Sequence, residues 1–365
     1  MSNVEPSSLS TRLRERLRAA IAAGGGWLPF DRFMAIALYE PALGYYARDA
    51  LKFGAMPASG SDFVTAPELS PWFGRTLAKA VREALDATGT DQVWEFGAGS
   101  GALARQLLTS LGDRVARYTI VDLSGTLADR QRERLAGFGD RVRWATAWPE
   151  AIDGVVIGNE VLDAMPVQLL HWDGLVWSER GVAAAGDGFA WADRPTALRP
   201  PVPGPFMPGT VTEVHPQAEA FVRSLAAVLR RGVAYFIDYG FPEREYYHPQ
   251  RQGGTLMCHR AHRADADPLA DVGDKDITAH VNFSAIALAA QDAGLDVLGY
   301  SSQARFLLNC GLLDALADAD LRDRVAAQRL INEHEMGELF KVLALGQGAD
   351  FEPIGFAEGD RSHRL

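Results

Sequence analysis

Val93-Trp94-Glu95-Phe96-Gly97-Ala98-Gly99-Ser100-Gly101 decides how this 365-residue chain folds. The apolar run of Val93, Trp94 and Phe96 ends in glycines at 97, 99 and 101, and Ala102-Leu-Ala-Arg-Gln-Leu-Leu behind them has a helical pattern. A strand, a glycine turn and a helix bring backbone N–H groups close to a nucleotide-like ligand. Gly97, Gly99 and Ala102 also satisfy the looser dinucleotide pattern G-x-G-x-x-[G/A]. On its own the stretch leaves three readings open: NAD, S-adenosylmethionine, and a tight turn with no ligand.

Working outward, strands expected at 92–96, 117–122, 141–144, 154–158, 233–238 and 295–301 alternate with helices at 101–111, 125–137, 216–231 and 283–293. That rhythm predicts an α/β fold with a parallel sheet covered on both faces. Residues 168–212 break it. Leu169-Leu-His-Trp, Val176-Trp-Ser and Phe189-Ala-Trp, separated by glycine turns, predict antiparallel strands inserted beside the fourth strand. A proline-rich connector over 195–208 follows, residues 304–339 are helical again, and Phe340 to Leu345 predicts a final edge strand. Residues 352–365 are expected to be loose. Ahead of the sheet, Leu9, Leu13, Leu17, Ala20 and Ile21 recur at helical spacing. Gly24 to Gly26 stop that helix, Pro29 opens a second to Tyr39, and a third runs from Trp72 to Ala87. The chain thus divides into a mostly helical segment, 1–90, and an α/β domain, 91–365.

Composition narrows the class. No apolar run approaches the roughly 18 residues a membrane span needs, and the N-terminus lacks the pattern of a signal peptide. Cys258 and Cys310 are the only cysteines, too few for a disulfide scaffold or a thiolate zinc site. A net charge of −11 argues against a protein that grips phosphate backbones. A cytoplasmic enzyme without metal or nucleic acid is the expectation.

Asp122 ends the second strand, 23 residues beyond Gly99. A carboxylate there can accept both hydroxyls of an adenosine ribose, which NAD and S-adenosylmethionine share. Glu95 separates the two. Two residues before the first glycine it would confront the pyrophosphate of NAD, whereas it complements the ammonium and sulfonium of S-adenosylmethionine. The fourth strand ends in Val155-Val-Ile-Gly-Asn-Glu-Val-Leu-Asp-Ala-Met-Pro, so Asn159, Glu160 and Asp163 crowd the sheet edge where an acceptor should meet the cofactor. Carboxylates grip a guanidinium through paired hydrogen bonds. The same three residues also suit a helix start, with Asn159 as cap. Asp238-Tyr-Gly ends the fifth strand on the same side, His280 reads as a structural hydrogen-bond partner, and Trp144 and Trp148 could flank an adenine or fill core.

In combination these motifs resemble the MidA family of class I methyltransferases, whose mitochondrial members assist assembly of respiratory complex I. The resemblance runs through Gly44-Tyr-Tyr, Asp62-Phe-Val-Thr-Ala-Pro-Glu with Ser70, Glu95-x-Gly-x-Gly-x-Gly, Asn159-Glu-x-x-Asp-Ala-x-Pro, Asp238-Tyr-Gly, Gly254-Thr-Leu, Asp276-Ile-Thr-Ala-His-Val-x-Phe and Gln303-x-x-Phe-Leu. It implies a Rossmann-like, seven-stranded, mostly parallel sheet with the last strand antiparallel, and S-adenosyl-L-methionine as donor. By position, Glu95, Gly97, Ala98, Gly99, Asp122 and Leu123 would hold the cofactor. Thr65, Pro67 and Glu68 would close over it from the N-terminal segment, and Asn159, Glu160 and Asp163 would face the acceptor. Ala98 and Ser100 depart from the Pro and basic residue common in the mitochondrial loop. The implied activity is methylation of a protein arginine, with a complex I subunit as a candidate acceptor. The alternatives are methylation of a small molecule or another side chain, an assembly protein that binds the cofactor with little turnover, and, last, an NAD-dependent oxidoreductase.

Overall fold

The computed structural model describes residues 6–47, 65–122, 125–260 and 263–365. Seven strands form the main path of the central sheet, β1 (Gln92–Phe96), β2 (Arg117–Val121), β3 (Val142–Ala145), β4 (Ile152–Asn159), β5 (Leu229–Phe241), β6 (Asp296–Ser302) and β7 (Phe340–Gln347), and the short strand Val281–Asn282 pairs with the end of β5 as an eighth. Their order is β3-β2-β1-β4-β5-β7-β6. β1 to β5 pair in parallel, and β7 runs antiparallel to both its neighbours. Alternate residues serve opposite faces, as a pleated strand requires. Val93, Val155, Val233 and Val342 pack under helices α4 (Pro71–Thr88) and α5 (Ala102–Leu111), while Val156, Ala234 and Leu343 pack under α7 (Pro216–Val228) and the helix Phe283–Asp292.

Three expectations are corrected. The strand at 340–345 is not an edge strand: β7 lies between β5 and β6, and β6 takes the edge. Its run Val342-Leu-Ala-Leu is buried without alternation, which only a strand covered on both faces tolerates. The helix expected over 216–231 stops at Val228, and residues 229–231 open β5. There Gly232, at φ +150°, comes so close to β4 that a Cβ would sit 1.8 Å from the Gly154 carbonyl oxygen. Nor is the 352–365 tail loose. Phe356 packs against Phe306 with ring centroids 5.3 Å apart, Arg361 N–H donates to the Tyr300 carbonyl at 2.6 Å, and Asp360 accepts from Tyr300 N–H at 2.9 Å.

The N-terminal helices α1 (Pro6–Ala23) and α2 (Phe30–Tyr39) lie where their patterns place them. Their apolar faces join the insertion: Leu13, Leu17, Phe30 and Phe33 share one core with Val167, Leu169 and Val182. Inserted strands Gln168–Trp172, Trp177–Ala185, Gly188–Pro195 and Thr210–Val214 form an antiparallel sheet, extended by Leu28–Pro29 pairing with residues 181–182. A small sheet of Met257–Arg260, Arg263–Asp265 and Asp276–Thr278 was not expected from the sequence, because its strands are too short to show a period. Both additions sit beside the C-terminal end of the central sheet, where open α/β sheets bind ligands.

Candidate active site

At that end of β1, β2 and β4 a cavity of about 530 Å³ opens. The glycine turn forms its floor. Gly97, Gly99 and Gly101 adopt φ of +65°, +51° and +79°, and a Cβ on Gly97 would lie 2.9 Å from Val161 of the loop after β4. A side chain at 97 would be strained and would also fill the cradle. Gln106 of α5 ties the neighbouring elements to this turn: its Nε2 donates to the Pro67 carbonyl at 2.7 Å, and its Oε1 accepts from Gly74 N–H at 3.0 Å. That bond holds the short helix α3 (Ala66–Leu69) beside the loop.

Of the residues expected to hold the cofactor, Thr65, Pro67, Glu95, Gly97, Ala98, Gly99 and Asp122 all line the cavity. Glu68 does not; it pairs with Arg134 at 2.8 Å and accepts from the Ser100 hydroxyl, so it fastens α3 to the glycine turn from outside. Leu123, like residues 62–64 of the quoted motif, lies outside the described residues. Glu95 is 2 % exposed and accepts from the Tyr118 hydroxyl at 2.6 Å. Burial pushes its carboxyl up to about 7, against the lowering effect of that hydrogen bond, and the nearby Asp122 charge adds to the rise.

On the acceptor side the structure separates the three expected residues. Asn159 and Glu160 line the cavity; Asp163 does not. No helix follows β4: residues 161–166 are turn and loop, so the three-residue spacing does not bring Glu160 and Asp163 onto one face. Asp163, 5 % exposed, turns beneath the cavity and accepts from the Tyr239 hydroxyl. Asp238 explains the unusual loop. Its Oδ2 accepts from the successive N–H groups of Val161, Leu162 and Asp163 at 3.2, 2.9 and 3.2 Å. Glu160 N–H donates to the Ile237 carbonyl at 2.9 Å, and Glu160 itself sits at φ +54°, rare for a non-glycine residue. A non-glycine residue stays in this region only where its surroundings fix it, as the bonds to Asp238 and Ile237 do here. Burial, followed by the Asp163 charge, raises the Glu160 carboxyl to about 8, opposed by hydrogen bonds from Asn159 and from Ala66 N–H. Asp163 is itself raised to about 6 by burial.

Of the other wall residues, Tyr39 gave no sequence signal, Tyr46 appeared only in the Gly44-Tyr-Tyr motif, and Trp148 only as a residue that could flank an adenine or fill core. Tyr39 and Tyr46 stack with centroids 5.4 Å apart, anchored by hydroxyl bonds to the Ala164 carbonyl at 2.8 Å and to Asp276 at 2.7 Å. Trp148 lines the opposite wall with Phe96 and Phe221, whereas Trp144 donates to Gln131.

The donor set fits a cationic nucleoside. Glu95, Asp122 and Glu160 are carboxyls in the wall, Asn159 Oδ1 is buried with no hydrogen-bond partner among the described residues, and no Arg, Lys or His is among the described lining residues. A pyrophosphate would meet anions here, while an ammonium and a sulfonium meet acceptors. No helix among the described residues is long and apolar enough to cross a membrane.

Known proteins agree with this chemistry. Residues 76–301 match the family model of S-adenosyl-L-methionine-dependent methyltransferases. A crystal structure of a Burkholderia thailandensis protein bound to S-adenosyl-homocysteine is 52 % identical, with a TM-score of 0.95 and 100 % of each chain covered. A native crystal structure from the same organism is also 52 % identical, with a TM-score of 0.91 over 100 % of each chain. More distant relatives are the mitochondrial protein arginine methyltransferase NDUFAF7 homolog of Caenorhabditis elegans, 26 % identical over 88 % of this chain and 83 % of its own, and NDUFAF7 of Danio rerio, 26 % identical over 93 % and 88 %. From its glycine cradle, its cation-accepting cavity and these similarities, the chain belongs to the S-adenosyl-L-methionine-dependent methyltransferase family of the MidA type.

Proposed function

We propose that this enzyme methylates an arginine side chain of a protein acceptor, with Glu160 receiving the guanidinium. A respiratory complex I subunit is the favoured acceptor, on the strength of the family resemblance. The observation that carries the proposal is the Glu160 carboxyl, fixed in the cavity wall by a left-handed backbone and raised to about 8.

When bound, S-adenosyl-L-methionine supplies a methyl group on a sulfonium. Glu95, Asp122 and the unpartnered Asn159 Oδ1 would hold it, with the glycine turn leaving room for its backbone-side approach. The chain's remaining task is to present a nitrogen in line and to exclude water. A guanidinium entering beside Glu160 favours the ionised carboxylate, which can accept its N–H groups in pairs. As nitrogen takes up the methyl group it must release a proton. A carboxylate whose proton affinity is raised toward neutrality accepts that proton at Oε far better than an exposed glutamate. Asn159 Nδ2, 3.1 Å from Glu160 Oε1, orients the acceptor oxygen. Asp163 and Asp276 add negative charge behind it. The stacked Tyr39–Tyr46 pair provides a flat apolar wall in the same cavity.

Glu160→Gln keeps the shape and removes the charge. S-adenosylhomocysteine affinity is expected to stay within about twofold, while methyl incorporation into arginine falls by about 10²-fold or more. Calorimetry and mass spectrometry of acceptor peptides from a deletion strain check both. Loss of cofactor binding would move Glu160 to the donor side; methyl groups found on other side chains or on small molecules would overturn the arginine assignment.

A further inference from the structure

Gln131 of helix α6 (Gly125–Leu135) has no place in the glycine motif or the acceptor motif, yet it is fully buried. Its Nε2 donates to the Gly99 carbonyl at 2.9 Å and to Asp122 Oδ2 at 3.3 Å, and its Oε1 accepts from the Trp144 indole N–H at 2.9 Å. An indole N–H only donates, so it fixes which end of the amide is oxygen. A flipped amide would set its NH₂ against Trp144 and its oxygen against two acceptors. Both amide hydrogens are therefore committed, one to the glycine turn after β1 and one to the carboxylate after β2. Gly101, the last glycine of the turn, has its open side against Gln131 Cγ, 3.5 Å from where a Cβ would sit.

We infer that Gln131, oriented by Trp144, is a positioning residue that locks the glycine turn and the Asp122 carboxylate into one cofactor-binding unit and aims Asp122 at the ribose of the cofactor. Gln131 touches no ligand, since it does not line the cavity; it acts through Gly99 and Asp122. The inference rests on Asp122 holding the ribose hydroxyls. It is independent of which acceptor is methylated.

The test compares S-adenosylhomocysteine with its 2′-deoxyribose analogue by calorimetry. Wild type should prefer the parent ligand. Gln131→Met, similar in length and unable to donate, should weaken the parent ligand by about tenfold and narrow that preference. Gln131→Glu places a carboxylate against the Gly99 carbonyl and the Asp122 carboxylate. It should be weaker still at pH 8 and recover toward wild type at pH 6, where the introduced carboxyl gains a proton and can donate once. Trp144→Phe, which frees the amide to flip, should show a smaller loss in the same direction. A merely structural glutamine predicts equal losses for both ligands and no recovery at pH 6, and either result overturns the inference. Wild type with no preference would remove Asp122 from the ribose and the inference with it. A preference that survives Gln131→Met would overturn the role of Gln131 alone.

Discussion

At the scale of single residues, the site is built from carboxyls held at proton affinities they do not have in water. Glu95 shows the balance most simply, because burial raises it to about 7 and one hydrogen bond from Tyr118 opposes the rise. Removing that hydroxyl in Tyr118→Phe should raise Glu95 further, leaving less of it ionised at pH 7. S-adenosylmethionine affinity is then expected to fall by about tenfold at pH 7 and to recover at higher pH. A binding profile unchanged between pH 6 and 9 would mean that the Glu95 charge does not hold the cation. Glu95, Gly97, Gly99 and Asp122 were legible in the sequence because each lies within three residues of a strand end, and strand ends carry strong local patterns. Gln131 and Tyr39 were not legible, and Tyr46 entered only through the Gly44-Tyr-Tyr motif, with no place assigned in the site. Their places in the site depend on helices folding back over the sheet, and nothing in the neighbouring residues records that. Asp163 was expected at the sheet edge beside Asn159 and Glu160, and Asp238, 75 residues away, holds a turn there that leaves Asp163 out of the cavity wall.

At the scale of elements, the alternation of strand and helix from residue 91 was enough to give the parallel sheet and its two covered faces. It could not give strand order, which depends on which edges meet. A buried, unalternating run such as Val342 to Leu345 distinguishes an interior strand from an edge only once its neighbours are known. The C-terminal tail was misread because its anchors are isolated. Phe356 shows no period in a tail rich in glycine and charge, yet it fills the space that Gly299 leaves open over β6 and packs on Phe306. Phe356→Ala should therefore destabilise the protein by about 3–5 kcal/mol, read as a lower urea midpoint at unchanged slope. S-adenosylhomocysteine affinity should stay within twofold, because Phe356 does not line the cavity. A loss below about 0.5 kcal/mol would show that the tail is dispensable.

For the whole molecule, the grouping of raised carboxyls has a measurable cost. Glu95 at about 7, Glu160 at about 8, Asp163 at about 6 and Asp238, also raised, all bind protons more tightly folded than unfolded. Such groups contribute stability that is complete below the unfolded carboxyl range and is lost as pH rises through the folded values. His215 and His280, both held down to about 4 by burial, act with the opposite sign, but only below about pH 6.5. Lys341, lowered to about 8 by burial, begins to offset the loss only at the upper end. The ligand-free melting temperature should therefore fall between pH 6.5 and 8. The shift produced by S-adenosylmethionine, which brings positive charge to the same groups, should grow over that interval. A flat ligand-free profile would show that the carboxyls share no such strain.

The position of β7 bears on how the enzyme comes into being. During synthesis every other strand of the central sheet leaves the ribosome before residues 340–347 do. Until then β5 and β6 have no partner on their facing sides, and a stretch as apolar as Val233 to Ile237 lies at an open sheet edge, the kind of surface that recruits stray strands. The nascent chain thus carries a vulnerable interval that closes only when its final strand slots into the gap. Chaperone occupancy measured along the growing chain should persist past residue 302 and drop once residue 347 has emerged.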